Sequence, residues 1–176
     1  MSFFGGSEPE FDDPDAFVPE HVPNPGPFLG EHDVLTGEDH VAVHERAAAA
    51  FEEHGVYDAT FGYNLAQLNR DPRHVDAGFR YARERDDPST LRAEFTPTTA
   101  FCPQAEPLAV GALRALDAEG VPGYDRVRVR VDSSLNGSEV VNDRLERLES
   151  GGGTLDGGVS DSSISEGGTR SPNADR

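Results

Sequence analysis

Between residues 36 and 149 the apolar positions switch between a helical and a two-residue period, and each switch marks an element. Val41, Ala47, Ala48 and Phe51 follow Thr36-Gly37-Glu38-Asp39, which resembles a capping box, and predict a helix that ends at Gly55. Tyr63-Asn64-Leu65-Ala66-Gln67-Leu68 reads as a turn or brief helix. Val75, Ala77, Phe79 and Tyr81 then alternate with Asp76, Gly78, Arg80 and Ala82, the pattern of a half-buried strand. A polar run over 83–90 leads to a second strand with Leu91, Ala93 and Phe95 inward. Leu108, Ala112, Leu113 and Leu116 share one face of a helix that stops near Gly120. Val127, Val129 and Val131 alternate with Arg126, Arg128 and Arg130 in a third strand. Asn136-Gly137-Ser138-Glu139 can open a last helix striped by Val141, Leu145 and Leu148. The order α-β-β-α-β-α predicts one small α/β (α+β) domain. Its three-stranded mixed sheet carries helices packed on it, and a helical crossover makes the second and third strands parallel.

The flanks lack this periodicity. Residues 1–35 are acidic and rich in Pro and Gly, with scattered Phe11, Phe17, Val18, Val22, Phe28 and Leu29. They read as an extended, partly disordered arm laid across the domain. Residues 150–176 are Gly, Ser, Asp and Thr with almost nothing to bury, and read as a disordered tail, leaving 36–149 as the domain.

Charge changes the picture of the surroundings. The formal net charge is −18, and all 15 basic residues are arginine. Such a surface repels itself in dilute buffer, whereas at 1 M salt the screening length is roughly 3 Å. The acid runs through the domain as well as the flanks, so the composition fits a salty cytoplasm. It argues against a nucleic-acid partner, which needs clustered cations. No apolar run is long enough for a bilayer, and Met1-Ser2-Phe3-Phe4-Gly5-Gly6 does not read as a signal peptide. The arginines of the third strand could face an anionic partner, but cross-strand pairing with Asp76 and Glu94 is the simpler account.

Candidate chemistry centres on Cys102, the single cysteine, placed between the second strand and the following helix. If that helix starts at Pro103, Cys102 is its N-cap and free amides would favour the thiolate; if it starts at Pro107, the thiol lies on a loop. An inert, packed cysteine is the other reading. His40 and His44 share a helix face at a spacing that can bind metal, yet no further ligands complete a zinc set. There is no phosphate loop, dinucleotide fingerprint or nucleophile elbow, so the chain does not read as a self-sufficient enzyme.

Phe95-Thr96-Pro97-Thr98 followed by Cys102 and Ala105 resembles a motif of the iron–sulfur cluster assembly domain family of the SufT and PaaD (MIP-eighteen-like) type. Ser138-Glu139-Val140-Val141-Asn142 is similar to the Ser-Glu…Asn stretch that opens that family's last helix. Val56-Tyr57-Asp58 and Asn64-Leu65-Ala66-Gln67-Leu68 look like its Asp-Pro-Glu segment and the stretch after it. The likeness covers roughly 40–149 and describes a divergent member. Asp58 is followed by Ala59 and Thr60 in place of Pro-Glu, Asn136 replaces a histidine, and Ala109 replaces a glycine. The resemblance implies a non-enzymatic factor that assists maturation of iron–sulfur proteins through Cys102, with Asp58, Thr98, Ser138, Glu139 and Asn142 in support. Its implied partners are iron–sulfur client proteins or assembly machinery. A cluster ordinarily takes four ligands, so one cysteine implies a transient cluster shared with a second chain, a borrowed thiol or a client. A degenerate interaction module of the same fold, using the arm or the arginine strand, is the alternative, and a thiol-dependent enzyme is a remote third reading.

The charge reading makes a direct prediction. The melting temperature should climb steeply from low to molar KCl, and a flat response in calorimetry would contradict salt adaptation.

Overall fold

The computed structural model describes residues 11–13 and 15–151. Two compact units divide the chain at Leu145, and of the second only the end of the last helix is described. The tail expected over 150–176 therefore lies almost wholly outside the described residues.

In chain order the elements are α1 (Pro27–Gly30), β1 (Asp33–Val34), α2 (Gly37–His54), β2 (Tyr57–Asp58), β3 (Tyr63–Asn64), 3₁₀ turns at Leu65–Arg70 and Pro72–His74, β4 (Gly78–Arg83), β5 (Thr90–Thr96), α3 (Ala105–Glu119), β6 (Arg126–Val131) and α4 (Ser138–Gly151). The fold is α+β, with helices and a mixed sheet of order β1-β4-β5-β6. β4 and β5 are antiparallel (Phe79 opposite Phe95), while β5 and β6 are parallel (Phe95 opposite Val131) across the α3 crossover. The sheet thus has four strands instead of three. The added β1 is two residues that pair with Ala82 and Arg83, too short to leave an alternation in the sequence.

α2 occupies the expected span and closes on Gly55, left-handed at φ 69°, although Thr36 makes no side-chain cap. Phe51 from α2 meets Phe79 at 5.4 Å, and Phe79 stacks on Phe95 at 5.1 Å. Leu113 and Leu116 of α3 and Leu91, Ala93 and Val129 of the sheet complete this buried layer. The strand expected from Val75 begins only at Gly78. Gly78 has φ 119°, and a Cβ there would stand 2.8 Å from Cγ of Asn69, so only glycine fits. Asn69 closes on the same strand, accepting from the Phe79 N–H at 2.6 Å and donating to its carbonyl at 2.7 Å.

β4 is not half-buried. Its second face carries Arg80 and Ala82, both buried, because the segment before α2 lies across it. Arg80 donates to the Pro23 carbonyl at 2.9 Å, and its guanidinium sits 5.5 Å from the centre of the Phe17 ring. Arg92 donates to the Phe28 carbonyl at 2.9 Å, and Arg92 and Arg130 stand over the Phe28 ring at 4.5 and 5.1 Å. Glu94 accepts the Gly26 N–H at 2.7 Å. A Cβ at Gly26 would lie 2.7 Å from Oε2 of Glu94, so any side chain there would have to displace the carboxylate. The proposed ladder of Asp76 and Glu94 with the β6 arginines is thereby corrected: Asp76 precedes the strand and Glu94 bonds the arm.

His40 and His44, the pair at metal-binding spacing, are both buried. A carbonyl can only accept, so His44 donates Nε2–H to Ala66 (2.8 Å), and its Nδ1 accepts the Tyr81 hydroxyl at 2.6 Å. Both ring nitrogens are committed, which leaves no metal pair. Burial, with His44 and Arg80 nearby, holds His40 down at about 3, and burial holds His44 at about 4. The unfolded chain takes up these protons near 6.5, so the fold loses stability as pH falls below that value.

Glu94 acts in the opposite sense. Burial raises its carboxyl to about 7, with Asp132 adding to the shift and the Gly26 and Phe28 amides opposing it. The folded state keeps this proton through a window in which the unfolded chain, near 4.5, has lost it, so stability falls as pH rises from 4.5 to 7. Glu94→Gln should match wild type near pH 5 and exceed it near pH 8 by about 1–3 kcal/mol in urea unfolding. Equal differences at the two pH values would contradict a buried ionisation.

Candidate functional site

Cys102 lies on the loop between β5 and α3, half-buried, where the parallel pair ends. α3 begins at Ala105 with Gln104 as its N-cap residue, so neither expected start holds. Cys102 is two residues short of the cap position, and its carbonyl accepts the Ala105 N–H at 3.3 Å. The N-cap argument for thiolate stabilisation therefore does not apply. Among the described residues none hydrogen-bonds the Cys102 sulfur, and neighbouring Phe101 is 77 % exposed.

Gln104 fixes this loop. Its Oε1 accepts the Ala59 N–H at 3.0 Å, and its Nε2 donates to the Thr60 hydroxyl at 2.7 Å, bolting the loop to the β2–β3 hairpin. Asp58 is in that hairpin, buried, with Oδ1 accepting the Thr60 and Phe61 amides at 2.7 and 3.0 Å. Its carboxylate thus caps the hairpin turn. A second tie comes from the turn before α4, where the Asn136 N–H donates to the Ala100 carbonyl at 2.8 Å. The segments bearing Asp58 and Cys102, and the turn before Ser138, are thus brought to one end of the sheet.

The remaining expected residues divide between support and surface. Asn142 is structural, donating to the Val131 carbonyl at 3.1 Å and accepting its N–H at 2.8 Å, which ends β6. Ser138 is buried at the start of α4, and Glu139 is exposed in its first turn. Thr98 is half-buried and lines a cleft of about 520 Å³ with Thr96, Arg73, His74, Asp76 and Asp132.

Sequence reasoning missed Gln104, Asn69 and this cleft. A polar amide directly before an apolar helix was the available signal for Gln104; nothing local marked Asn69. It also missed Asp71, fully buried, whose carboxyl burial would raise. Arg73 and the Tyr63 hydroxyl, both hydrogen-bonded to it, hold it instead at about 2. Among the described residues no group of three or more His, Cys, Asp and Glu is placed to hold a metal ion, and no helix is long and apolar enough to cross a membrane.

These roles separate in mutants. Asn142→Ala should cost about 1–3 kcal/mol in urea unfolding, because it strips Val131 of both bonds. Glu139→Ala should stay within about 0.5 kcal/mol of wild type.

No curated protein and no solved structure matches the chain. One family model does, over residues 9–155, a span that takes in the arm, the sheet and the Cys102 loop. The chain belongs to the family described as Domain of unknown function (DUF7998).

Proposed function

We propose that the protein is an iron–sulfur assembly or targeting factor acting through Cys102 in a salt-rich cytoplasm. The observation that carries this reading is the accessibility of Cys102: a thiol sealed in the core would fit a scaffold, whereas this one is half-buried on a loop held at both sides. Exposed Phe101 beside it offers an apolar contact to a client or to assembly machinery. One thiolate cannot close a cluster site, so the cluster is cargo. Its other ligands come from a second copy, a small thiol or the client, and contact is transient. A second reading, an interaction module without cluster chemistry, draws on the use of the Asp58 carboxylate as a hairpin cap.

Cys102→Ser tests the choice. It should leave the urea midpoint unchanged and abolish support of cluster-dependent enzymes in a deletion strain; full complementation would end the assembly reading. In anaerobic reconstitution with iron and sulfide at molar salt, wild type should develop cluster absorbance at less than one cluster per chain. The variant should develop none. Absence of absorbance in both would favour the second reading.

A further inference from the structure

The cleft of about 520 Å³ opens where β5 and β6 end and β4 begins. The crevice beyond the carboxyl ends of parallel strands is where α/β sheets present ligands, and the volume is in the range of small-molecule sites. Its walls carry a guanidinium, an imidazole and carboxylates. Arg73 and His74 stand before β4, Asp132 after β6, and Thr96 and Thr98 lie at the end of β5 and on the loop that follows it.

The polar groups of the lining are positioned by contacts within the protein. Arg73 spends Nε and Nη2 on Asp71, at 2.9 and 2.7 Å, which sets the guanidinium plane and leaves Nη1 uncommitted on a half-exposed side chain. The His74 ring lies 4.6 Å from that of Phe61. Asp132 is oriented by the Ser134 N–H, 2.9 Å from Oδ2. Asp76 adds a second carboxylate to the lining. It is the one non-glycine residue with positive φ among those described, at 67°, a conformation of some cost that recurs at functional sites.

This balance of charge selects the ligand class. Two carboxylates in the lining, with Arg73 already paired to Asp71, disfavour a simple anion such as phosphate. They suit a molecule that brings its own ammonium with its carboxylate. We propose that this cleft binds a free amino acid, its carboxylate on Arg73 and His74 and its ammonium on Asp132. The site stands on its own lining and does not depend on the role of Cys102.

The test is a thermal-shift screen of the full-length protein in molar KCl against each proteinogenic L-amino acid at millimolar concentration, followed by calorimetric titration of the strongest. At least one should raise the melting temperature. Its N-acetyl and carboxamide derivatives, which remove the ammonium and the carboxylate charge, should each bind at least tenfold more weakly, roughly. Asp132→Asn, which keeps an acceptor for Ser134, should weaken binding by a similar factor. Val75→Trp fills the cleft from an exposed position and should abolish binding while circular dichroism stays unchanged. No shift with any amino acid, equal binding of the derivatives, or binding that survives Val75→Trp would overturn the proposal.

Discussion

A carboxylate on a central strand, with 2 % of its surface exposed, must find hydrogen bonds or remain protonated. Glu94 does so through the backbone of the arm, and this contact sets how the sheet is finished. The arm brings Gly26 to the carboxylate, the Pro23 carbonyl to Arg80 and the Phe28 ring to Arg92 and Arg130. Without that cover the sheet would present a row of charges to solvent on one side and a hydrophobic layer to α2 and α3 on the other. With it, Arg80 and Glu94 are buried and Arg92, Arg128 and Arg130 half-buried. Much of what looks like an exposed charged surface is thus covered, while Arg126 at the start of β6 stays exposed. Arginine suits this role because its planar cation can stack on a ring while its N–H groups reach carbonyls.

The same arrangement directs function to the end of the sheet. With the faces occupied, the loops after β5 and β6 and before β4 are where side chains of differing chemistry converge. Gln104 and Asn136 hold the Cys102 loop from two directions, and Asn142 and Asn69 fasten the strand ends beneath it. The loop bearing the thiol also supplies the threonines of the cleft, so one short segment serves two neighbouring features without one being needed to explain the other.

What could be read from the chain was whatever repeats locally. α2 with its Gly55 stop, β5, α3, β6 and α4 are all visible in the spacing of apolar residues. What escaped depended on contacts between distant segments. β1 is two residues long and exists because β4 lies beside it. The β4 start is set by Gly78 against Asn69. The arm has no period of its own because it follows the sheet's side chains one at a time. His40 and His44 were legible in principle, since they lie in one stripe with Ala47 and Phe51; their polarity concealed it. The start of α3 was obscured by two prolines, at 103 and 107, that each resemble a first helical residue, and the side chain of Gln104 between them ties the region to the β2–β3 hairpin.

The covering arm also orders events during synthesis. Gly26 and Phe28 leave the ribosome well before their partners, which follow 68 and 64 residues later at Glu94 and Arg92. Neither contact can form until β5 exists, and the stacking on Arg130 must wait for β6 as well. The segment made early therefore docks late, closing the longest loops of the fold over a sheet that has already paired. Until then the nascent chain carries its arginine-rich face uncovered, and docking of the arm is the step that turns a half-finished sheet into an interior.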